Sequence, residues 1–183
     1  MNIWRLKLDV NMYGYRYLDI DEEYAKMIIR CNRIEEKKHL MYTLDFEWKG
    51  NNYADVYGFG NIKGVFAVTK KTKEILQEHN NLNIEFIRIT SKESAEELYL
   101  VHILSAADVF DLENCEYSFI MNKFVDYIYK FSFKPTVKEY SLFKCVANGF
   151  LSTSYLYCTD TFKNIIDENN ITGFLFEKIY EIQ

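Results

Sequence analysis

Residues 64–89 read GVFAVTKKTKEILQEHNNLNIEFIRI and decide the fold of this chain. The short apolar run Val65–Val68 predicts a strand, and the more polar stretch Thr69–His79 predicts a helix. Asn80-Asn81 ends that helix, and Ile84–Ile89 predicts a second strand. The segment is therefore predicted to form a strand–helix–strand unit.

The C-terminal part of the chain repeats this layout in YLYCTDTFKNIIDENNITGFLFEKI, residues 155–179. Tyr155–Cys158 predicts a strand, Thr159–Asn169 a helix and Phe174–Ile179 a second strand. At an offset of 90 residues the identical pairs are Thr69/Thr159, Lys73/Lys163, Ile75/Ile165, Glu78/Glu168, Asn80/Asn170, Phe86/Phe176 and Ile89/Ile179. A duplication and convergence on one local geometry both explain these matches, and two copies are too few for a solenoid.

The rest of the chain adds strands and one further helix. Apolar and polar residues alternate over Ile3–Asp9 and Met41–Trp48, and an amphipathic helix is predicted from about 21 to 37. The other predicted strands are Leu98–Leu104, Phe124–Phe133 and Leu142–Val146. Strands outnumber helices without alternating strictly with them, which predicts an α+β fold with a mixed or mainly antiparallel sheet and a few amphipathic helices. No linker divides the chain, so residues 1–183 are predicted to form one domain.

The charge and the cysteines exclude several classes of protein. Lys and Arg number 22 and Asp and Glu 27, giving a net charge of −5, which does not suit a nucleic-acid binder but is compatible with a basic partner. Mild acidity is also common among ordinary cytosolic proteins, and this explanation is favoured over a basic partner. None of the four cysteines forms a CxxC pair, so no metal site is predicted. With no signal sequence and no membrane-spanning run, a cytoplasmic protein is expected.

Two motifs resemble catalytic or binding sites only superficially. Gly58–Gly64 leads into a strand rather than a helix, so we predict a turn or hairpin and not a phosphate loop. His102, Ser105 and Asp108 have the residue types of a triad, but His102 shares a strand face with leucines. A buried histidine with a hydrogen-bond partner is predicted there, and no catalytic residue is assigned.

Acidic side chains are the candidate contacts for a partner protein. The densest cluster is Asp108, Asp111, Glu113 and Glu116, and a second group precedes the strand at Leu98: Glu93, Glu96 and Glu97. A solvated turn also explains the first cluster, and a helix-capping box formed by Ser94 and Glu97 also explains part of the second.

Aromatic residues alternate along the predicted strand over Phe124–Phe133. Tyr127, Tyr129, Phe131 and Phe133 are expected to line one face of it. Such a stripe is typical of a core face, and stacking on a single-stranded nucleic acid is the alternative, which the acidic charge disfavours.

Several segments together resemble a known bacterial family. They are Gly64–Leu76, Tyr99–Leu112, Leu142–Lys144, Leu156–Ile166 and Ile171–Ile179. In this order they are similar to the immunity-protein family of bacterial polymorphic-toxin systems, typified by a myxobacterial immunity domain. In that family a strand–Ser/Thr–helix block occurs twice and the chain ends in a Thr-Gly-x-x-Phe strand. The resemblance covers residues 60–180 and carries no catalytic motif.

The resemblance implies a cytosolic protein that binds and neutralises a cognate protein toxin by direct contact, without a cofactor. The charge adds the expectation of a basic toxin, and no nucleic acid or membrane as partner. Open strand edges could also pair in a homodimer. Two other functions stay open: a small enzyme with a site near His102, Asp108 and Cys145, and an interaction module of another bacterial defence system.

Overall fold

The computed structural model describes residues 1–8, 17–20, 42–43, 46–49, 52–60, 62–90, 95–120, 124–151 and 155–182. The helix predicted over 21–37 lies outside these ranges. The strands are β1 (Asn2–Leu8), β2 (Tyr17–Ile20), β3 (Tyr42–Thr43), β4 (Phe46–Lys49), β5 (Val56–Phe59), β6 (Ile62–Thr69), β7 (Ile84–Thr90), β8 (Leu98–Ile103), β9 (Ala106–Ala107), β10 (Glu116–Ile120), β11 (Phe124–Lys130), β12 (Leu142–Ala147), β13 (Phe150–Leu151), β14 (Leu156–Thr159) and β15 (Phe174–Glu181). The helices are α1 (Lys70–Gln77) and α2 (Asp160–Glu168), with 3-10 helices at Asn80–Leu82 and Pro135–Glu139.

The strands form two mixed sheets and a separate hairpin. The seven-stranded sheet has the order β3-β7-β8-β6-β5-β2-β4, and the six-stranded sheet has the order β13-β12-β14-β1-β15 with β9 beside β12. Strands β10 and β11 pair with each other. Most pairs are antiparallel, whereas β2–β5, β3–β7 and β9–β12 are parallel. The predicted α+β class is confirmed, with two large sheets in place of one.

Both predicted strand–helix–strand units are present. In each unit the two strands run parallel because both pair antiparallel with one strand that lies between them: β8 between β6 and β7, and β1 between β14 and β15. Helix α1 begins after Thr69, whose hydroxyl accepts a hydrogen bond from the Thr72 backbone N–H at 3.3 Å. Helix α2 begins after Thr159 at the equivalent position.

A left-handed backbone residue comes directly before the second strand of each unit. It is Asn83 (φ 48°) before β7 and Gly173 (φ 107°) before β15, again 90 residues apart. Asparagine and glycine are the residues that tolerate this conformation best. The similarity between the two units therefore includes the turn that precedes the second strand.

The largest hydrophobic cluster takes side chains from both helices and both large sheets. Leu76 of α1 and Phe162 of α2 are fully buried in it, together with Phe66 of β6 and Leu156 of β14. Two further clusters contain the residues that alternate with these along the strands. The helices thus join the two sheets through one shared core.

Two local predictions need correction, and a third is confirmed. The strand predicted over Phe124–Phe133 ends at Lys130, and Phe133 instead forms an isolated bridge with Phe110. The capping box at Glu97 is wrong, since β8 and not a helix follows it. The glycine-rich segment is confirmed as a hairpin, because β5 and β6 pair antiparallel on either side of it.

Candidate functional site

The acidic segment 108–116 lies against residues 130–134 at the end of the hairpin. The Asp111 backbone N–H donates to the Ser132 carbonyl at 3.0 Å, and the Lys134 N–H donates to the Val109 carbonyl at 2.8 Å. Phe110, between these contacts, is buried. Backbone pairing and a buried ring therefore hold the segment in place, while Asp108, Glu113 and Glu116 are exposed.

Two carboxylates of this segment form ion pairs in solvent. Lys134 Nζ lies 2.9 Å from Asp108 Oδ1, and Lys130 Nζ lies 3.4 Å from Glu116 Oε1. All four of these side chains are between 44% and 68% exposed. Exposed pairs of this kind contribute little to stability and leave their charges accessible to a partner.

Asp111 has a local structural role. Its Oδ2 accepts a hydrogen bond from the Asn114 side chain at 2.7 Å and one from the Ser132 hydroxyl at 3.4 Å. Its backbone carbonyl accepts from the N–H groups of Asn114 and Cys115, both at 3.1 Å. Asp111 therefore shapes the turn that presents Glu113, which is exposed.

The second predicted acidic group lies beside the seven-stranded sheet. Glu97 precedes β8, and its Oε1 lies 2.9 Å from Arg88 Nε of β7 and accepts a hydrogen bond from the Tyr99 hydroxyl. The Tyr99 bond, followed by the charges of Arg88 and nearby lysines, lowers the pKa of Glu97. Glu96 is half-buried, and Glu93 lies outside the described residues. The structure thus attaches the two predicted acidic groups to different sheets.

An exposed pair of tyrosines on the hairpin was not predicted as a site. Tyr127 is 43% exposed and Tyr129 67%, and their rings contact each other edge to face at 5.1 Å between centroids. The core interpretation is confirmed for Phe133 and wrong for these two residues. The change from Tyr to Phe along the stripe is the signal that could have separated them, since a tyrosine hydroxyl favours a solvent-exposed position.

Tyr129 occupies a β-bulge. Glu116 pairs with Lys130 and Tyr117 with Ile128, so Tyr129 is the extra residue of β11 at this point. Ile128, its neighbour in sequence, is buried in the core. A bulge of this kind re-aims a side chain, and here it turns a large ring toward solvent.

Arg5 attaches the hairpin to the six-stranded sheet. Its guanidinium forms an ion pair with Glu177 at 2.6 Å and lies 5.4 Å from the centre of the Tyr155 ring and 6.0 Å from that of Phe131. Burial lowers the pKa of Arg5, but the hydrogen bond and the charge of Glu177 outweigh it and raise the pKa overall. This nearly buried cation therefore contacts both the sheet and the chain that leaves the hairpin.

The three residues of the enzyme alternative do not share an open site. His102 is only 2% exposed, and its Nδ1 lies 3.3 Å from Glu85 Oε2, so the predicted buried, hydrogen-bonded histidine is confirmed. Burial raises the pKa of the Cys145 thiol well above its ordinary value, which keeps it protonated and weakly nucleophilic. Asp108, in contrast, is exposed and pairs with Lys134.

The described residues contain neither a candidate metal site nor a helix that could span a membrane. No three of their His, Cys, Asp or Glu side chains are grouped so that they could hold a metal ion. Among the same residues, neither helix has the length and apolar character needed to cross a membrane.

Comparison with models of protein families gives a match. A model of a family described as the immunity protein family (Imm11) matches residues 44–181. The match includes both strand–helix–strand units, the hairpin and the acidic segment. No curated protein matches the chain. The family match confirms the resemblance seen in the sequence.

Proposed function

The chain belongs to the Imm11 immunity protein family, and we propose on that basis that it binds and neutralises a cognate bacterial toxin by direct contact. In this proposal the protein acts in the cytoplasm and inhibits by occupying a surface of the toxin, with no catalysis and no cofactor. Nucleic acids and membranes are not its partners. Membership of the family is the observation that carries the proposal.

The acidic segment is the proposed contact surface, and its geometry suits this role. Asp108, Glu113 and Glu116 are exposed on a segment whose backbone is fixed by pairing with residues 130–134. A fixed backbone reduces the entropy lost on binding. Exposed carboxylates attract a basic partner and increase its association rate, an effect that salt weakens. A basic toxin is therefore the proposed partner.

The second acidic group is proposed as a weaker contributor. Glu97 is already engaged by Arg88 and Tyr99, so a toxin cation would compete with two existing partners. Glu93 and Glu96 are proposed as toxin contacts from the sequence alone. Together these residues would extend the contact surface only if the toxin reaches the seven-stranded sheet.

Co-expression of toxin and immunity protein tests the function. The toxin genes adjacent to the gene of this chain are expressed in a sensitive host with and without the full chain. We expect one toxin to arrest growth alone and to be harmless with the chain, and its inactivated form to co-elute with the chain on size exclusion. Arrest by every adjacent toxin despite normal levels of folded chain would contradict the proposal.

A further inference from the structure

The β10–β11 hairpin places two tyrosine rings side by side in solvent, although the strand that carries them also packs on the core. Ile128 is buried and Val125 packs on the same cluster, whereas Tyr127 and Tyr129 are 43% and 67% exposed. Single exposed apolar residues are common on protein surfaces and need no explanation. Here two large rings touch each other on one face, and together they form a patch.

The patch stands on paired strands, and its two rings contact each other edge to face. Tyr127 pairs with Ser118 across the hairpin. Tyr129 lies at the bulge between the Glu116–Lys130 and Tyr117–Ile128 pairs, which sets the direction of its side chain. Rings that are already ordered lose little entropy when a partner covers them, which is a property of interface anchors.

The charge around the patch indicates which partner it fits. Glu116 follows the turn that carries Glu113, and it stands across the ladder from Lys130, the neighbour of Tyr129. Segment 108–116 carries four carboxylates beside the end of the hairpin. Two of them are paired there, Asp108 with Lys134 and Glu116 with Lys130. Arginine or lysine side chains can pack on tyrosine rings and pair with neighbouring carboxylates at the same time.

We propose that Tyr127 and Tyr129 are the anchor of the toxin-binding surface, and that the toxin covers them with a basic surface whose Arg or Lys side chains pack on the rings. The carboxylates of segment 108–116 form the polar rim of this contact. Tyrosine is enriched among the few residues that dominate binding energy, and such residues are surrounded by polar contacts that exclude water. This inference rests on the proposed function and names the residues that would carry it.

Alanine substitution with a matched control tests the anchor. Tyr129→Ala is compared with Tyr53→Ala, because Tyr53 is also 67% exposed. The affinity of the full chain for the inactivated toxin identified by growth rescue is measured by calorimetry. We expect Tyr129→Ala to weaken binding about tenfold or more and Tyr53→Ala to leave it within about twofold. Tyr129→Phe, which keeps the ring, should stay close to the wild type.

The outcomes separate this inference from the proposed function. Unchanged binding by Tyr129→Ala, in a wild-type background that still binds toxin, overturns the anchor and leaves toxin neutralisation intact. Failure of the wild-type chain to bind or protect contradicts the proposed function itself. If Tyr129→Ala instead abolishes a homodimer measured by light scattering, or binding to a single-stranded oligonucleotide, and leaves toxin affinity unchanged, the proposed occupant of the patch is wrong.

Discussion

The ammonium nitrogen of Lys73 lies 4.1 Å from the centre of the Tyr99 ring. At the equivalent position of the second unit, Lys163 lies 5.3 Å from the centre of the Trp4 ring. Tyr99 and Trp4 lie on β8 and β1, the strands inserted into the two units. Because β8 follows its unit and β1 precedes the other, this equivalence reflects a shared packing geometry and not the copying of one continuous segment.

The Lys73–Tyr99 contact should contribute measurably to stability. Replacing Lys73 by Ala removes a cation that lies over an aromatic face, and we expect the free energy of unfolding to fall by about 0.5–1 kcal/mol. Lys71→Ala is the control, since Lys71 is exposed on the same helix. Urea denaturation of the two variants makes the comparison, and equal stabilities would show that the ring contact contributes nothing.

Gly173 is expected to tolerate no side chain. It combines φ 107° with a position where an added Cβ would lie 2.5 Å from the Val56 carbonyl oxygen. Gly173→Ala should therefore lower the free energy of unfolding by about 2–3 kcal/mol, from backbone strain and the clash together.

Gly149 provides the matched control for this substitution. It also has a left-handed backbone, with φ 80°, but an added Cβ would meet no atom within 4 Å. Gly149→Ala should cost only the backbone strain, about 1 kcal/mol. Equal losses in the two variants, measured by thermal or urea denaturation, would mean that the contact with Val56 has no energetic role.

Because of Lys144, the free energy of unfolding should change with pH in the alkaline range. It is fully buried and donates to the Ile103 carbonyl at 3.2 Å, and burial lowers its pKa from 10.5 to about 8. Between these two values the unfolded chain binds more protons than the folded chain, so stability rises with pH across this window. Below the folded-state pKa the charged amine stays buried, and its destabilising effect is present in full.

Lys144→Met tests this assignment because methionine has a similar length and no charge. We expect the variant to be more stable at pH 7, by about 1–2 kcal/mol, and to lose this advantage as the pH rises toward 10. Urea titrations of both proteins at several pH values give the comparison. A constant difference between them from pH 7 to 10 would show that Lys144 does not titrate in that range.

Local patterns predicted the two units well because their signals lie within short segments. Thr69 and Thr159 mark both helix starts, and the asparagines after each helix mark the breaks. The insertion of β8 and β1 between parallel strands depends on pairing between residues distant in sequence, for example Trp4 with Cys158. Periodicity in a single segment contains no information about such partners.

The site was predicted only in part, for a similar reason. The acidic residues are visible in the sequence, but their pairing with Lys130 and Lys134 depends on how the hairpin packs. Tyr127 and Phe133 belong to one alternating stripe and nevertheless differ in exposure, because the bulge at Tyr129 and the end of β11 lie between them and change the direction of the side chains. Alternation alone predicted the same face for both.

The association rate of the chain with its toxin, measured at low and high salt, tests the acidic surface most directly. The variant Asp108→Asn/Glu113→Gln/Glu116→Gln is compared with Glu168→Gln, which removes an exposed charge from α2. For the wild type and Glu168→Gln, we expect association with the toxin to be at least about tenfold faster at low salt than at high salt. The triple variant should lose most of this acceleration. Identical rates and identical salt dependence for the triple variant and the wild type would contradict the role of this surface in toxin binding.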